Sequence, residues 1–186
     1  MKKLLLGIMC IIMAANFAGC STESSFHSES SVSVSTSNTQ DLIDKGDKNL
    51  DAGKFDDAIK NYTEALELDD DNIYAYNGRG IAYSQKQDFD NAIKDFAQTI
   101  KLDPNYAEGY NNRGMAYGEK GDLDKALADF NKAIELDSAY AQAYNNRGAA
   151  YMAKGDQDKA TADFKKALEL DPNNKDAKDN LKSLSQ

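Results

Sequence analysis

The chain has 186 residues, 31 of them aspartate or glutamate against 22 lysine or arginine, for a formal charge of −9. An acidic balance of that size excludes binding to nucleic acid through phosphate contacts, and excludes adhesion to an anionic bilayer by charge alone. One histidine (His27) and two cysteines (Cys10 and Cys20) leave no disulfide framework and no Ser–His–Asp set on a rigid element.

Residues 1–19 open with Met1, Lys2 and Lys3, then run apolar to Phe17, Ala18 and Gly19, directly before Cys20. A short basic start and an apolar stretch too short to span a bilayer comfortably read as a secretory signal peptide. Its end resembles a bacterial lipobox, with Phe17 where leucine is commoner. That resemblance implies cleavage before Cys20, a thioether diacylglycerol on its sulfur and acylation of the new amine. Two acyl chains hold a protein on a membrane where one does not. The mature chain would keep 20 cationic against 31 anionic side chains, a formal −11, and no free thiol. Residues 20–38 follow as the lipidated cysteine and a serine-rich tether with almost nothing to bury. The tether is expected to be a disordered coil spanning roughly 20–25 Å. Ser21 after the cysteine resembles the outer-membrane sorting choice of two-membrane envelopes.

From residue 39 the chain repeats with a period of 34, as 39–72, 73–106, 107–140 and 141–174; the last two copies agree at 22 of 34 positions. Self-similarity at such a period indicates stacked supersecondary units. In the third copy, Ala107 to Lys120 carries Tyr110, Gly114, Ala116 and Tyr117 on one stripe. Leu123 to Leu136 carries Leu123, Ala126, Leu127, Phe130, Ala133 and Ile134 three and four apart, which is helical periodicity. Gly121 between them suits a left-handed helix terminus, and Asp122 suits an N-cap. Gly46, Gly80, Gly114 and Gly148 each precede an alanine (Ala58, Ala92, Ala126, Ala160) by 12 residues. A glycine inside a helix costs about 1 kcal/mol relative to alanine, so its recurrence predicts that two nearly bare backbones touch there. One such hairpin cannot bury its own apolar face; stacked hairpins can.

Gly80, Tyr83, Ala92, Phe96 and Pro104 in the second copy resemble the tetratricopeptide repeat. So do Gly114, Tyr117, Ala126 and Phe130 in the third, where Ser138 replaces the proline, and Gly148, Tyr151, Ala160, Phe164 and Pro172 in the fourth. The first copy departs, with Asn49 for the tyrosine and Asp70 for the proline, as suits a terminal repeat. The resemblance implies an all-α fold, a right-handed α-solenoid of antiparallel helix pairs. Four repeats would cover 39–174, and residues 175–186 would form a capping helix offering Ala177, Leu181 and Leu184. It further implies a concave groove lined by the first helices, with a peptide-binding surface at Tyr74, Asn77, Ile81, Asn111, Asn112, Met115, Asn145, Asn146 and Met152. Asparagine amides donate and accept together, and methionine adapts to varied partners. Relatives that clamp chaperone tails use lysine and asparagine in the first repeat. Here Ile43 and Asp47 stand at those positions, with Asp44 and Asp51 nearby, so a neutral or basic ligand end is expected instead.

Arg79, Arg113 and Arg147 occur in the copies that also carry Asp95, Asp129 and Asp163, whereas the first copy has Lys45 and Asn61. This co-occurrence predicts structural Arg–Asp pairs. The acidic joint at 69–72 lacks the glycine and distal glutamate of a calcium loop, so no metal is assigned, and no cofactor. The sequence reads as a monomeric, lipid-anchored adaptor or scaffold of a bacterial cell envelope that binds a peptide or helix of an envelope protein. It would lie on the outer membrane facing the periplasm where there are two membranes, and otherwise on the outer face of the cytoplasmic membrane. An assembly factor or pilotin of an envelope or secretion machine is the alternative, ahead of a cell-wall-associated enzyme or a small-molecule receptor.

Overall fold

The computed structural model describes residues 32–184; the expected signal, Cys20 and the tether as far as residue 31 lie outside the described residues. Those residues form helices without strands: α1 (Val32–Asp51), α2 (Phe55–Leu68), α3 (Ile73–Gln85), α4 (Phe89–Leu102), α5 (Ala107–Glu119), α6 (Leu123–Leu136), α7 (Ala141–Ala153), α8 (Gln157–Leu170) and α9 (Lys175–Leu184). Each helix packs on the next, and α1, α3, α5, α7 and α9 also touch in series. The result is an all-α stack of hairpins with the first helices side by side along one face.

One boundary differs from expectation. Helix α1 begins at Val32, so residues 32–38, read as coil, are helical. Their serines and β-branched residues do not favour nucleating a helix. Extending one already nucleated by the packed residues that follow is much cheaper.

The turns follow the local chemistry. Gly53, Gly121 and Gly155 have φ of +70°, +83° and +83°, and Gln87 takes the same place in the second repeat at +62°. The side chains of Asp88, Asp122 and Asp156 cap α4, α6 and α8, each accepting from the backbone N–H three residues on at 3.3, 3.4 and 3.2 Å. Lys54 precedes α2 and supplies no such cap.

The core is a series of aromatic rings laid on glycines. Tyr62, Phe96, Phe130 and Phe164 are 0%, 1%, 3% and 0% exposed. A Cβ placed on Gly46, Gly80, Gly114 or Gly148 would lie 2.6, 2.6, 2.8 or 2.7 Å from the nearest ring carbon of its own hairpin. The sequence pointed to the alanine twelve residues on as the contact, and that is corrected in part. The Ala126 carbonyl oxygen stands 3.2 Å from the Gly114 position, but the ring is the tighter neighbour. Ala58, Ala92, Ala126 and Ala160 are themselves fully buried. The apolar residues gather in successive clusters, one for each hairpin and its neighbour, as expected of a stack in which each unit meets only the adjacent ones.

Candidate functional site

Three polar repeats fasten the stack. The first is the Arg–Asp pair. Arg79 donates from Nε and Nη2 to Asp95 at 2.8 and 2.9 Å, Arg113 to Asp129 at 2.8 and 2.8 Å, and Arg147 to Asp163 at 2.8 and 2.7 Å. These are the predicted pairs, formed as planar two-point forks within each hairpin. The guanidinium of each also lies over a tyrosine one turn earlier, Tyr76, Tyr110 or Tyr144, at 5.5, 5.8 and 5.4 Å from the ring centre. Hydrogen bonding to the aspartate holds all three arginines above their ordinary pKa, so none gives up its proton.

The second fastener went unread in the sequence. Lys86 pairs with Asp56, Lys120 with Asp90 and Lys154 with Asp124, each from the end of a first helix to the preceding second helix. Both partners recur at the repeat period, which is the same signal that exposed the Arg–Asp pairs.

The third fastener occupies the expected groove residues. Asn77, Asn111, Asn145 and Asn146 are only 7%, 2%, 4% and 3% exposed. Asn112 Nδ2 donates to Asn77 Oδ1 at 3.1 Å, Asn146 Nδ2 to Asn111 Oδ1 at 2.9 Å, and Asn180 Nδ2 to Asn145 Oδ1 at 3.1 Å. These amides run as a ladder between successive first helices and set the spacing of the stack. The sequence alone cannot tell an amide facing a ligand from one facing the next repeat.

Other predicted residues remain on the face. Tyr74 is 64% exposed. Asn112, Ile81, Met115 and Met152 are half-buried; Met115 packs against the Phe130 cluster and Met152 against the Phe164 cluster. Glu108 accepts from Asn77 Nδ2 at 3.1 Å and from the Tyr106 hydroxyl at 2.8 Å. Burial, then the charge of Glu108, pushes the Tyr106 phenol well above its usual pKa, with Tyr140 and Tyr74 close enough to contribute. At the α1 end, Asp47 accepts from the Tyr62 hydroxyl at 2.6 Å, and Asp44 stands on the same helix. The face therefore combines tyrosine, methionine and isoleucine with carboxylates. Among the described residues no group of three histidine, cysteine, aspartate or glutamate side chains is placed to hold a metal.

Family models agree with this geometry. The tetratricopeptide repeat model matches residues 73–106 and 141–174, a TPR repeat model matches 46–87 and 114–155, and another tetratricopeptide repeat model matches 96–128. Among solved structures, the crystal structure of MamA is 31% identical with a TM-score of 0.67, over 76% of this chain and 82% of that one. The first TPR domain of Spaghetti (RPAP3), bound to the HSP90 peptide SRMEEVD, is 32% identical with a TM-score of 0.59, over 61% of this chain and 90% of its own. The pilF protein of Pseudomonas aeruginosa is alike in fold, with a TM-score of 0.75 at 19% identity over 81% of this chain and 69% of that one. With its period of 34, its rings laid on glycines and these matches, the chain belongs to the tetratricopeptide repeat family.

Proposed function

We propose that this protein is a lipid-anchored adaptor of a bacterial cell envelope, which binds an extended or helical segment of another envelope protein on its first-helix face. The observation that carries the reading is Tyr74, a large ring 64% exposed on that face, where a partner would bury it at small entropic cost. RPAP3 domains that resemble this chain are solved with HSP90 and HSP70 peptides, which supports a peptide as ligand class. The charge differs. The HSP90 peptide SRMEEVD is acidic, whereas Asp44, Asp47 and Glu108 make this face acidic. Like charges oppose such a tail, so the partner segment is neutral or basic.

The membrane role rests on the sequence before residue 39. Cys20 carries the lipid, and the acidic repeats stand off the bilayer. Which membrane holds the anchor follows the organism's envelope, with the outer one indicated by Ser21 where there are two.

A photo-crosslinking residue at position 74, with Lys132 on α6 as control, tests the adaptor reading in cells. One envelope protein captured from 74 and not from 132, and lost when position 81 or 115 is made aspartate, is the expected result. Equal, scattered products from both positions would remove the face as the functional surface. Cys20→Ser is expected to abolish labelling by an alkyne fatty acid and to move the protein out of the membrane fraction. Retained label would sink the anchor.

A further inference from the structure

Helix α9 occupies the place of a fifth first helix but breaks its pattern. Where the others carry Gly80, Gly114 and Gly148, it carries Lys182. A Cβ at those glycines would stand 2.6, 2.8 and 2.7 Å from the ring of the following helix. A second helix of the ordinary kind therefore cannot close on α9. Between α8 and α9 lies instead a groove of about 570 Å³, lined by Leu168, Leu181, Leu184 and Thr161 together with Lys165, Lys178 and Lys182. The three leucines are half-buried, so their outer surfaces remain wet.

The charge of this groove runs against the rest of the molecule. The chain is −9, yet no carboxylate is among the groove's lining residues, and three lysines are. Some lysines on the second helices pair with an acid on the same helix, as Lys132 does with Glu135 and, on α8 itself, Lys166 with Glu169, whereas Lys94 and Lys101 on α4 make no ion pair among the described residues. Lys165 and Lys178 make no ion pair among the described residues.

We propose that the α8–α9 groove is a docking seat for an amphipathic helix of a partner protein, with a leucine-type apolar stripe flanked by glutamate or aspartate. The leucines take the stripe and the lysines take the flanks, which is the helix-in-groove mode with its charge requirement made explicit. A basic helix meets the like charges of Lys165 and Lys178 there. An anionic bilayer approaching this open groove is opposed by the net negative charge of the whole chain. This seat is separate from the first-helix face, and the two take partners of opposite charge.

The test uses the full chain and a fluorescent helical peptide of leucine stripe and glutamate flanks, read by anisotropy. Its lysine-flanked twin and a serine-for-leucine version serve as controls. The expected result is binding of the glutamate peptide alone, weakened about tenfold or more by Lys165→Glu with Lys178→Glu and by added salt, as a charge-led contact requires. Leu181→Asp should also abolish it, and Tyr74→Ala should leave it unchanged, which separates this seat from the adaptor face. Both lysines are exposed, so the thermal melt of the double variant should match the parent and exclude misfolding as the cause. Equal binding by parent and double variant would overturn the proposal. So would a concentration-dependent dimer in sedimentation that Leu181→Asp removes, which would make a second copy the occupant. Lysine-dependent binding to phosphatidylglycerol vesicles without peptide binding would overturn it in favour of lipid.

Discussion

The first hairpin and the three that follow share one backbone plan but fasten it differently. In α3–α4, α5–α6 and α7–α8 a phenylalanine lies on the glycine, and an Arg–Asp fork closes the hairpin beside it. In α1–α2 the ring is Tyr62, its hydroxyl reaches Asp47, and Asn49 Nδ2 donates to Asn61 Oδ1 at 2.8 Å where the later hairpins have their forks and tyrosines. The departures at 49, 61 and 62 are thus linked: one set of polar contacts has replaced another. The ring on the glycine is common to both arrangements, so it is the part the fold does not exchange.

If so, damage to the common part must exceed damage to the replaceable part. Gly114→Val forces a branched side chain into a ring 2.8 Å away and a carbonyl oxygen 3.2 Å away. It should destabilise the protein by about 3 kcal/mol, at the upper end of overpacking costs. Urea denaturation followed by circular dichroism measures this, and a loss no larger than that of a surface substitution would break the comparison. Asp129→Ala removes a fork and leaves Arg113, with 21% of its side chain exposed, short of its main partner. The cost should be about 2 kcal/mol, below that of a wholly buried pair, because water can reach the guanidinium. The order of the two variants matters more than either value.

Much of this was legible in the sequence, for a physical reason. Periodic features announce themselves when both partners recur: the glycines and the arginines with their aspartates were placed by counting, and Asp122 was placed as a cap from the turn beside it. The Lys–Asp staples carried the same signal and went unread. The asparagines were found as residues of the first-helix face, but their direction was not. Asn111 and Asn112 are neighbours in sequence, yet Asn112 reaches back to Asn77 and Asn111 accepts from Asn146. Whether an amide meets water or the next repeat depends on the pitch of the stack, and pitch is a property of packed helices that no single repeat encodes. The Leu181–Leu184 stripe was read as cover for the last repeat. Those leucines do pack against the Phe164 cluster, but they also line the open side of α9.

The finest test exchanges the two kinds of ring. Tyr62 fits because Gly78, from the next hairpin, stands over its hydroxyl end; a Cβ there would lie 2.5 Å from Tyr62 Cζ. In register with Gly78 the third repeat has Asn112, and in register with Asp47 the second has Ile81. Phe96→Tyr would therefore press a hydroxyl toward Asn112, where Tyr62 meets a glycine, with Ile81 in place of the acceptor, and should cost about 1–3 kcal/mol. Ile81→Asp supplies the missing acceptor, so the double variant should show a favourable coupling of about 1 kcal/mol in a double-mutant cycle. The reverse change, Tyr62→Phe, should cost about 1 kcal/mol at neutral pH. It should also act in alkali. Burial, then the hydrogen bond to Asp47 and its charge, raises the Tyr62 phenol well above its ordinary value of 10.0. A group raised on folding stabilises the fold below its unfolded pKa, and that stabilisation is lost as pH rises past it, because the unfolded chain alone releases the proton. Thermal melts taken upward from about pH 10 should therefore fall less steeply for Tyr62→Phe than for the parent. Identical slopes would mean that Tyr62 gives up its proton as readily folded as unfolded, and its contact with Asp47 would then be no substitute for the later forks.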